Sequence, residues 1–344
     1  MKGIILHGGH GTRLRPLTHT GPKQLLPIAN KPMSQYCIES IREAGITDIA
    51  IIIGGLGSNK VKEYYENGEN FGVNLTYIEQ DHPRGIAHAV NLCKDFVSNE
   101  KFVVFLGDNI IQKSISEFAK NFEGSNYDAS ILLCKVDNPS RFGIADVKDG
   151  KILKIMEKPE NPPTNLAVTG IYFLTPKIFD VIDRLKPSSR DELEITDALE
   201  MLLNENDNIS YSMITDYWKD TGTPEDILNA NRQVLEHIWH NDGAFDKLGF
   251  DQALVYNIDM PSIIGKNCKI GETARIGPNV SIGDNTIISS DVVIENSIIM
   301  SGCKIDGGLH IKDSIISANC HLHGNNKDKT KKIFLLGEGT EITL

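Results

Sequence analysis

Short apolar runs alternate with longer segments of helical periodicity from residue 1 to about residue 232 of the chain. The short runs predict strands at residues 4–6, 48–53, 75–78, 102–106 and 129–133. Between them, the wider apolar spacing of surface helices predicts helices at residues 33–44, 58–66, 87–96 and 115–122. Strands that alternate with helices in this way are typical of an α/β fold. We therefore predict a doubly wound, Rossmann-like sheet whose strands are mostly parallel.

The pattern changes after Pro261 to a six-residue repeat. Isoleucine recurs at every sixth position from Ile264 to Ile294, and helices do not keep that period. The repeat resembles a C-terminal left-handed parallel β-helix, in which each six-residue face sends one aliphatic side chain inward. The predicted handedness comes from this resemblance alone. The repeat frays after Glu295, so the sequence does not show where the region ends.

The two patterns indicate two domains, since 344 residues exceed the usual size of one domain. A predicted connecting helix at residues 234–239 leads into an irregular segment before the repeat. We place the boundary near residue 240, with an α/β domain at residues 1–240 and a linker plus β-helix at residues 241–344. A tail of this kind is typical of assembly or regulation, so we expect a homo-oligomer. An acyl-transfer site on the tail, using His310, His321 and His323, stays open as an alternative.

Composition and charge exclude several classes of protein. The 46 acidic and 35 basic residues give a net charge of −11, which argues against broad nucleic-acid binding. No apolar run approaches the ~20 residues that cross a bilayer, and the N-terminus shows no cleavage site for a signal peptide. The six cysteines are scattered without a Cys-x-x-Cys pair, so they indicate neither a zinc site nor a disulfide framework. We expect a cytoplasmic protein without membrane or nucleic-acid partners.

A glycine-rich segment follows the first predicted strand. Its glycines permit positive φ angles and let backbone N–H groups approach phosphate oxygens; they are Gly8, Gly9 and Gly11. Positive charge follows in an otherwise acidic chain, at Arg13, Arg15 and Lys23, as a triphosphate site requires. Neither a Walker loop nor the dinucleotide fingerprint fits these residues. The segment favours an anion site, and a plain structural turn is the alternative.

From these residues onward the chain resembles the sugar-nucleotide pyrophosphorylases. The matching motifs run in order through residues 8–16, 22–27, 30–33, 80–87, 107–109, 141–143, 157–159, 168–173, 192–197 and 218–222. The Lys23-Gln24-Leu25 form resembles the glucose-1-phosphate thymidylyltransferases within that family, and the repeat tail resembles their long form. Three positions depart from the family pattern: His7 stands where Ala or Ser is usual, His10 replaces Ser, and Asp191 replaces Gly.

The resemblance implies a reaction between two phosphate esters. The phosphate oxygen of glucose 1-phosphate would attack the α-phosphorus of dTTP and release pyrophosphate. Because this nucleophile is already anionic, a general base is unnecessary, and the enzyme has to position two polyanions and stabilise the developing charge. The resemblance implies Arg13, Lys23 and Asp108 as catalytic residues. It also implies Mg²⁺ held by Asp108 and Asp220, because carboxylates and phosphate oxygens suit that ion.

Two sets of binding residues follow from the same resemblance. The nucleotide-binding set supplies the phosphate loop and the loop that reads the base: Leu6, Gly8, Gly9, Gly11, Thr12, Arg13, Lys23, Gln24, Gln80, Pro83, Gly85 and Asp108. The sugar-phosphate set supplies phosphate and hydroxyl partners for the hexose: Gly143, Glu157, Lys158, Val168, Tyr172, Arg190 and Trp218. We expect Arg13 to bind the leaving pyrophosphate and Lys23 to span both substrates.

Two other functions stay open beside acyl transfer. A uridylyltransferase using UTP with glucose or N-acetylhexosamine 1-phosphate is one, since a single methyl group distinguishes the bases and contributes only ~1–3 kcal/mol. A non-catalytic nucleotide-sugar sensor is the other, although the four residues that such a protein could lose are all present: Arg13, Lys23, Asp108 and Asp220. All matched motifs precede residue 240, so the sequence predicts that a chain ending there keeps its transfer activity.

Overall fold

The structure is a computed structural model that describes residues 1–9, 11–205, 208–241, 257–324 and 330–344. These residues form two compact units. One unit contains Met1–Gly9 and Ser34–Asp220, and the other contains His10–Met33 and Thr221–Leu344. The segment that carries Arg13 and Lys23 therefore groups with the C-terminal part of the chain. The boundary near residue 240 stays a prediction, and most of the expected linker, at residues 242–256, lies outside the described residues.

Strands and helices alternate along the first 241 residues. The strands are β1 (Lys2–Leu6), β2 (Pro27–Ile28), β3 (Lys31–Pro32), β4 (Asp48–Ile53), β5 (Asn74–Glu79), β6 (Phe102–Leu106), β7 (Asn109–Ile111), β8 (Ala129–Lys135), β9 (Ile144–Lys148), β10 (Lys151–Met156), β11 (Leu166–Leu174), β12 (Ile209–Met213) and β13 (Trp218–Asp220). The helices are α1 (Met33–Glu43), α2 (Ser58–Tyr65), α3 (Ile86–Asn91), α4 (Lys94–Val97), α5 (Ser116–Glu123), α6 (Lys177–Ile182), α7 (Ile195–Asn204) and α8 (Pro224–Asn241).

The large sheet of the first unit has the order β10-β9-β11-β6-β1-β4-β5, with β8 paired to β11 and β12 paired to β8. The α/β prediction is confirmed, and all five predicted strands lie in this sheet. The strands β6, β1, β4 and β5 are parallel neighbours, whereas β11 pairs antiparallel with β6, β8 and β9. The sheet is therefore mixed. Strands β9 and β10 form an antiparallel hairpin that turns at Asp149 and Gly150, both of which have positive φ.

The central strands carry nearly continuous apolar sequence because they are buried on both faces. Phe102, Val103, Val104 and Phe105 are all fully buried in β6. One predicted helix, at residues 87–96, is instead two short helices, α3 and α4, which break at residues 92–93. The ligand-binding edge of such a sheet lies at the carboxyl ends of its parallel strands. In this sheet that edge carries residues 7–9, 54, 80 and 107–108.

The C-terminal region is a parallel β-helix, as predicted. Its strands are β14 (Asn257–Ile258), β15 (Ser262–Ile264), β16 (Lys269–Ile270), β17 (Arg275–Ile276), β18 (Val280–Ile282), β19 (Ile287–Ile288), β20 (Val293–Glu295), β21 (Ile298–Ile299), β22 (Lys304–Ile305), β23 (His310–Lys312), β24 (Ile315–Ile316), β25 (His321–His323), β26 (Lys331–Lys332), β27 (Leu335–Leu336) and β28 (Glu341–Thr343). They form three parallel five-stranded sheets, in which every third strand belongs to the same sheet.

The β-helix extends beyond the point where the sequence repeat frays. Ile276 pairs with Ile294, eighteen residues later, whereas Ile294 pairs with Ile311, only seventeen residues later. A coil that is one residue shorter breaks the six-residue period but keeps the ladder of backbone hydrogen bonds. Coils therefore continue to β28. Among the described residues, no helix combines the length and the apolarity that spanning a membrane requires.

Candidate functional site

The first part of the glycine-rich segment lies at the carboxyl end of β1. The backbone N–H of His7 donates to the carbonyl oxygen of Ile52 at 2.9 Å, which fixes the chain as it leaves the strand. A Cβ atom on Gly8 would lie 3.3 Å from Oε1 of Gln80, and Gly9 has a φ of 102°. The structure thus brings together three predicted nucleotide-binding residues, Gly8, Gly9 and Gln80, just beyond Leu6.

The second part of the segment, in the other unit, forms two 3₁₀ helices at Thr12–Leu14 and Lys23–Leu25. Gly11 has a φ of 57°, and its carbonyl oxygen accepts a hydrogen bond from Oγ1 of Thr18 at 2.8 Å. The Arg13 guanidinium packs on Gly222, where a Cβ atom would lie 3.3 Å from both terminal nitrogens. The structure therefore places Arg13 against the end of the Trp218 to Gly222 motif. His10 lies outside the described residues.

The predicted base-reading loop is held by backbone hydrogen bonds to Leu193. The N–H of Leu193 donates to the carbonyl oxygen of Arg84 at 2.8 Å, and the N–H of Ala87 donates to the carbonyl oxygen of Leu193 at 3.0 Å. Gly85 has a φ of 100°, and a side chain there would collide with the Leu193 backbone. Only glycine fits this position, so the loop shape depends on it. Pro83 is exposed in the same loop.

Gln80 is a buried amide whose side chain is oriented by His88. The Nε2 atom of Gln80 lies 2.9 Å from Nδ1 of His88. Burial lowers the pKa of His88, with a further contribution from Arg84. The shift favours the neutral ring, whose Nδ1 can accept a hydrogen bond from the Gln80 amide. The hydrogen bond leaves Oε1 of Gln80 on the Gly8 side. Sequence reasoning missed His88, because nothing local indicates that it contacts Gln80.

A small antiparallel sheet brings the backbone of Asp220 close to the residue that follows Asp108. Strand β13 pairs with β7 so that Asp220 lies directly opposite Asn109, the residue after Asp108. Asp108 is 8% exposed, and its Oδ1 atom accepts a hydrogen bond from Nδ2 of Asn109 at 3.0 Å. Carboxylate oxygens are ligands that suit Mg²⁺, which takes few protein ligands and completes its shell with water and phosphate oxygens.

Asn109 links this carboxylate pair to an aromatic residue of the predicted sugar site. Its Oδ1 atom accepts a hydrogen bond from Nε1 of Trp218 at 2.8 Å. Trp218 in turn packs edge-on against Phe142, with the ring centroids 5.7 Å apart. Asn109 is thus a buried positioning residue for both Asp108 and Trp218. The sequence showed it only as the residue that follows Asp108.

Glu157 is the centre of a charged cluster that contains the predicted phosphate partners. Its Oε1 atom lies 2.8 Å from Nη2 of Arg190 and 3.1 Å from Nζ of Lys158. Its Oε2 atom accepts a hydrogen bond from Oγ1 of Thr196 at 2.9 Å. Arg190 also donates to the buried Glu194 at 2.8 Å. Although burial opposes the charge, Glu194 and Glu157 raise the pKa of Arg190.

Gly143 and Val168 lie beside this cluster. A Cβ atom on Gly143 would come within 2.6 Å of Cγ2 of Thr196, 3.4 Å of Glu157 and 3.8 Å of Val168. Tyr172 is buried, and burial together with the charges of Glu157 and Asp108 raises its pKa. Five predicted sugar-phosphate residues are therefore neighbours here: Gly143, Glu157, Lys158, Val168 and Arg190. Sequence reasoning missed Thr196 and Glu194 as partners, although both lie in the matched motif at residues 192–197.

His7, one of the three positions that differ from the family pattern, has a buried side chain. The ring is 2% exposed, and neither nitrogen has a hydrogen-bond partner among the described residues. It contacts Tyr65 edge-on, with the centroids 6.4 Å apart. Burial lowers the pKa of His7 to about 3, against an opposing contribution from Asp108. The ring is therefore neutral at pH 7 and behaves as a packing group behind the loop.

Comparison with known proteins gives a family match over most of the chain. The Nucleotidyl transferase family model matches residues 2–237, and the model described as the GMPPB C-terminal domain matches residues 258–343. The chain is similar to the low-salt glycan biosynthesis nucleotidyltransferase Agl11 of Haloferax volcanii, with 50% identity over 237 residues, which is 69% of this chain and 66% of that protein. It is also similar to a glucose-1-phosphate thymidylyltransferase of Streptomyces antibioticus, with 44% identity over 69% of this chain and 67% of that protein.

The match thus spans about two thirds of the length of these curated relatives. Among solved structures, the chain resembles a protein from Bacillus anthracis that is assigned as a glucose-1-phosphate thymidylyltransferase and was crystallised with a sucrose. The TM-score is 0.65 and the identity 42%, over 68% of this chain and 94% of that one.

Proposed function

Because the chain belongs to the nucleotidyl transferase family, we propose that it transfers a thymidylyl group from dTTP to glucose 1-phosphate and releases pyrophosphate. One observation carries the proposal. The antiparallel pairing of β7 and β13 puts Asp220 opposite Asn109, beside Asp108, at the carboxyl edge of the sheet where ligands bind. The Streptomyces antibioticus relative with the thymidylyltransferase name supports the choice of nucleotide and sugar.

The reaction needs charge stabilisation more than proton transfer. An oxygen of the sugar phosphate forms a bond to the α-phosphorus, and the bond between the α-phosphorus and its bridging oxygen breaks, so that pyrophosphate leaves with the electron pair. The attacking oxygen is already anionic, and no residue has to remove a proton from it. Arg13, on the 3₁₀ helix after Gly11, would bind the leaving pyrophosphate as a fork of N–H donors. Lys23 would hold both substrates as a point charge.

Mg²⁺ would be held by Asp108 and Asp220 together with phosphate oxygens, and it would supply positive charge against the triphosphate. The protein's own contribution is to hold these carboxylates in place. The Asn109 amide donates to Asp108, and the Trp218 indole fixes that amide from the other side. Rigid support of this kind matters because the stabilising groups have to be aligned before the charge develops.

The Glu157 cluster supports binding of a sugar phosphate. Arg190 and Lys158 both lie within ion-pair distance of the same Glu157 oxygen, so two cations meet at one point where a phosphate can bind. Glu157 would then accept hydrogen bonds from adjacent hexose hydroxyl groups. Gly143 packs closely against Thr196, which donates a hydrogen bond to Glu157, so a side chain at residue 143 would displace that support.

The Gln80 loop supports a pyrimidine. Its amide can both donate to and accept from a pyrimidine edge, and His88 and the Leu193 backbone fix the loop. We expect purine nucleotides, whose bases need a wider pocket, to be poor substrates. Since thymine and uracil differ by one methyl group, we expect dTTP to give the highest kcat/KM and UTP to be a tolerated second substrate.

A pyrophosphate-release assay over several nucleotides and sugar phosphates tests the proposal. We expect dTTP with glucose 1-phosphate to give the highest kcat/KM. A preference for UTP, or for an N-acetylhexosamine phosphate, would reassign the chain as a uridylyltransferase. Binding of these ligands without turnover would instead show a nucleotide-sugar sensor, and a preference for ATP or GTP would contradict the base-reading role of the loop. A homo-oligomeric state and a cytoplasmic location are parts of the same proposal, and sedimentation measurements test the first.

A further inference from the structure

Two histidines and a carboxylate that the transfer reaction does not use lie together on the outside of the β-helix. They belong to the sheet that contains β22, β25 and β28, whose buried side chains Ile305 and Leu322 point inward. Because side chains alternate along a strand, the residues on either side of Leu322 point outward. Asp306, which follows Ile305, is next to His323 across the ladder.

The donor atoms of these residues converge. The Nε2 atom of His321 lies 3.3 Å from Oδ1 of Asp306, and Nδ1 of His323 lies 3.2 Å from Oδ2 of the same carboxylate. The two imidazole rings have centroids 3.7 Å apart. One donor atom from each of the three residues lies within 4.8 Å of the others. Ligand atoms at about 2.0–2.2 Å from a tetrahedral zinc ion are about 3.3–3.6 Å apart, so the arrangement is close to a metal site.

We propose that Asp306, His321 and His323 bind a divalent transition-metal ion of the zinc class. Two neutral imidazoles and one carboxylate select such an ion over Mg²⁺, which prefers oxygen ligands. The site is half exposed, so water would complete the coordination. It is separate from the Asp108 and Asp220 pair and does not depend on the proposed transfer activity.

Glu341 supplies the outer support that metal-binding histidines usually have. Its Oε1 atom lies 2.7 Å from Nε2 of His323, on the opposite side of the ring from Asp306. A proton held on Nε2 by this carboxylate leaves Nδ1 with its lone pair toward the site. Metal-ligating histidines commonly donate their second N–H to a carboxylate in this way, which fixes the ring and increases its basicity.

His310 shows that a histidine beside a carboxylate on this β-helix does not by itself make a metal site. Its Nε2 atom lies 3.6 Å from Glu295, but Lys312 and Lys331 lie at 3.6 and 3.8 Å from the same carboxylate oxygen. Two ammonium groups there already neutralise the carboxylate and repel a cation. His310 is on a different sheet from His321 and His323.

A metal ion at this site would connect neighbouring coils. Asp306 follows β22, the two histidines are in β25, and Glu341 is in β28, so three successive coils contribute to it. An ion that binds the folded chain and not the unfolded chain stabilises the fold in proportion to its occupancy. The proposed consequence is that zinc stabilises the C-terminal coils.

Isothermal titration of the full chain with Zn²⁺ tests the site, after treatment with a chelator and in buffer that contains Mg²⁺. We expect one ion per chain. His321→Asn and His323→Asn should each weaken binding on the order of a hundredfold, and Glu341→Gln by about ten- to a hundredfold. The matched controls His310→Asn and Lys304→Ala, which remove no ligand, should bind as the parent does. Circular dichroism confirms that each variant is folded.

Two further measurements distinguish binding at these three residues from binding elsewhere on the chain. Zn²⁺ should raise the thermal unfolding midpoint of the parent chain but not that of the His321→Asn, His323→Asn double variant. Co²⁺ bound at the site should give a visible spectrum without a thiolate charge-transfer band. Absence of Zn²⁺ binding, equal binding by the double variant, or a thiolate band that assigns the ion to a cysteine would each overturn the proposal.

Discussion

Asn30 donates a side-chain amide hydrogen to the backbone carbonyl oxygen of Ile282 in the β-helix, at 2.6 Å. The preceding residue is fixed in a similar way. The N–H of Ala29 donates to Oδ1 of the buried Asn231 on α8 at 2.8 Å, and the same oxygen accepts from Oγ of Ser281 at 2.7 Å. The turn that follows the Lys23–Leu25 helix is therefore anchored to the β-helix both directly and through α8.

This anchoring changes what we expect of a chain that ends near residue 240. The sequence predicts that such a chain keeps its activity, since all matched motifs precede that point. Truncation would, however, remove Ile282 and Ser281, leaving the Asn30 amide without its acceptor and the Asn231 side chain without its contact to the β-helix. We now expect a folded truncation to lose much of its kcat/KM for dTTP. Unchanged kcat/KM in a folded truncation would show that the anchor does not matter for catalysis.

Asn231→Ala tests the same anchor without removing a domain. The Ala29 N–H is buried and would lose its acceptor, and an unsatisfied buried donor costs about 1–3 kcal/mol. We expect a lower free energy of unfolding by about that amount and a higher KM for dTTP, with a smaller effect on the KM for glucose 1-phosphate. Urea unfolding and steady-state kinetics measure both. Asn74→Ala, which removes an exposed hydrogen bond to Asp48, is the control and should change neither quantity.

Gly143→Ala should weaken binding of the sugar phosphate. The added methyl group would come within 2.6 Å of Cγ2 of Thr196, and displacing Thr196 would break its hydrogen bond to Glu157. Losing such a bond to a charged group costs about 1.5–3 kcal/mol. We expect the KM for glucose 1-phosphate to rise about tenfold or more, with the KM for dTTP nearly unchanged. Gly124→Ala, where an added Cβ has space, is the matched control. A rise in both KM values would indicate a general loss of structure.

Local sequence was sufficient for elements whose apolar pattern is strong. The bounds predicted for β4 and β6 agree with the structure because these buried strands are apolar along nearly their whole length. The predicted helix at residues 87–96 was wrong in its continuity, since the break at residues 92–93 has no glycine or proline to indicate it. The end of the β-helix could not be found from the sequence, because a coil one residue shorter breaks the six-residue period and keeps its ladder only through pairing with the coil before it.

The contacts that position the candidate site are mostly between residues far apart in sequence. Asn30 and Ile282 are 252 positions apart, and Trp218 and Asn109 are 109 positions apart. Neither pair carries a local motif. The resemblance to the family supplied the main residues, such as Asp108 and Asp220, but not their supports. The roles of the individual site residues in binding stay predictions until kinetics and ligand complexes test them.

His7 predicts a specific dependence of stability on pH. Its pKa in the folded chain is about 3, whereas the ordinary value is 6.5. The unfolded chain therefore takes up a proton as the pH falls below 6.5, and the folded chain does not. Stability from the neutral ring is complete above that pH and is lost progressively between pH 6.5 and pH 3. Between pH 7 and pH 5 the loss should be about 2 kcal/mol.

Urea unfolding of the parent and of His7→Ala at pH 7 and pH 5 measures this effect. The His7→Ala variant should lose about 2 kcal/mol less than the parent over that interval, whatever its stability at pH 7. The quantity to compare is the change in the free energy of unfolding between pH 7 and pH 5, because the cavity left by the substitution lowers stability at both pH values. His19→Ala, which removes an exposed ring, should follow the parent. Equal pH dependence in parent and His7→Ala would show that the pKa of His7 is the same in the folded and unfolded chains.

Asp108→Ala and Asp220→Ala should each remove most of the turnover while the fold is kept. If both carboxylates hold one Mg²⁺, losing either removes charge that offsets the phosphates in the transition state, which costs ~3–4 kcal/mol or about a hundred- to a thousandfold in kcat. The double variant should be little worse than either single variant, because residues that act as a unit are not additive.

Asp137→Ala, which removes an exposed carboxylate, should be close to the parent. Steady-state kinetics across a Mg²⁺ titration, with circular dichroism to check folding, measures these effects. Near-normal kcat for one folded single variant at saturating Mg²⁺ would remove that residue from the metal site, and additive losses in the double variant would mean that the two carboxylates act separately.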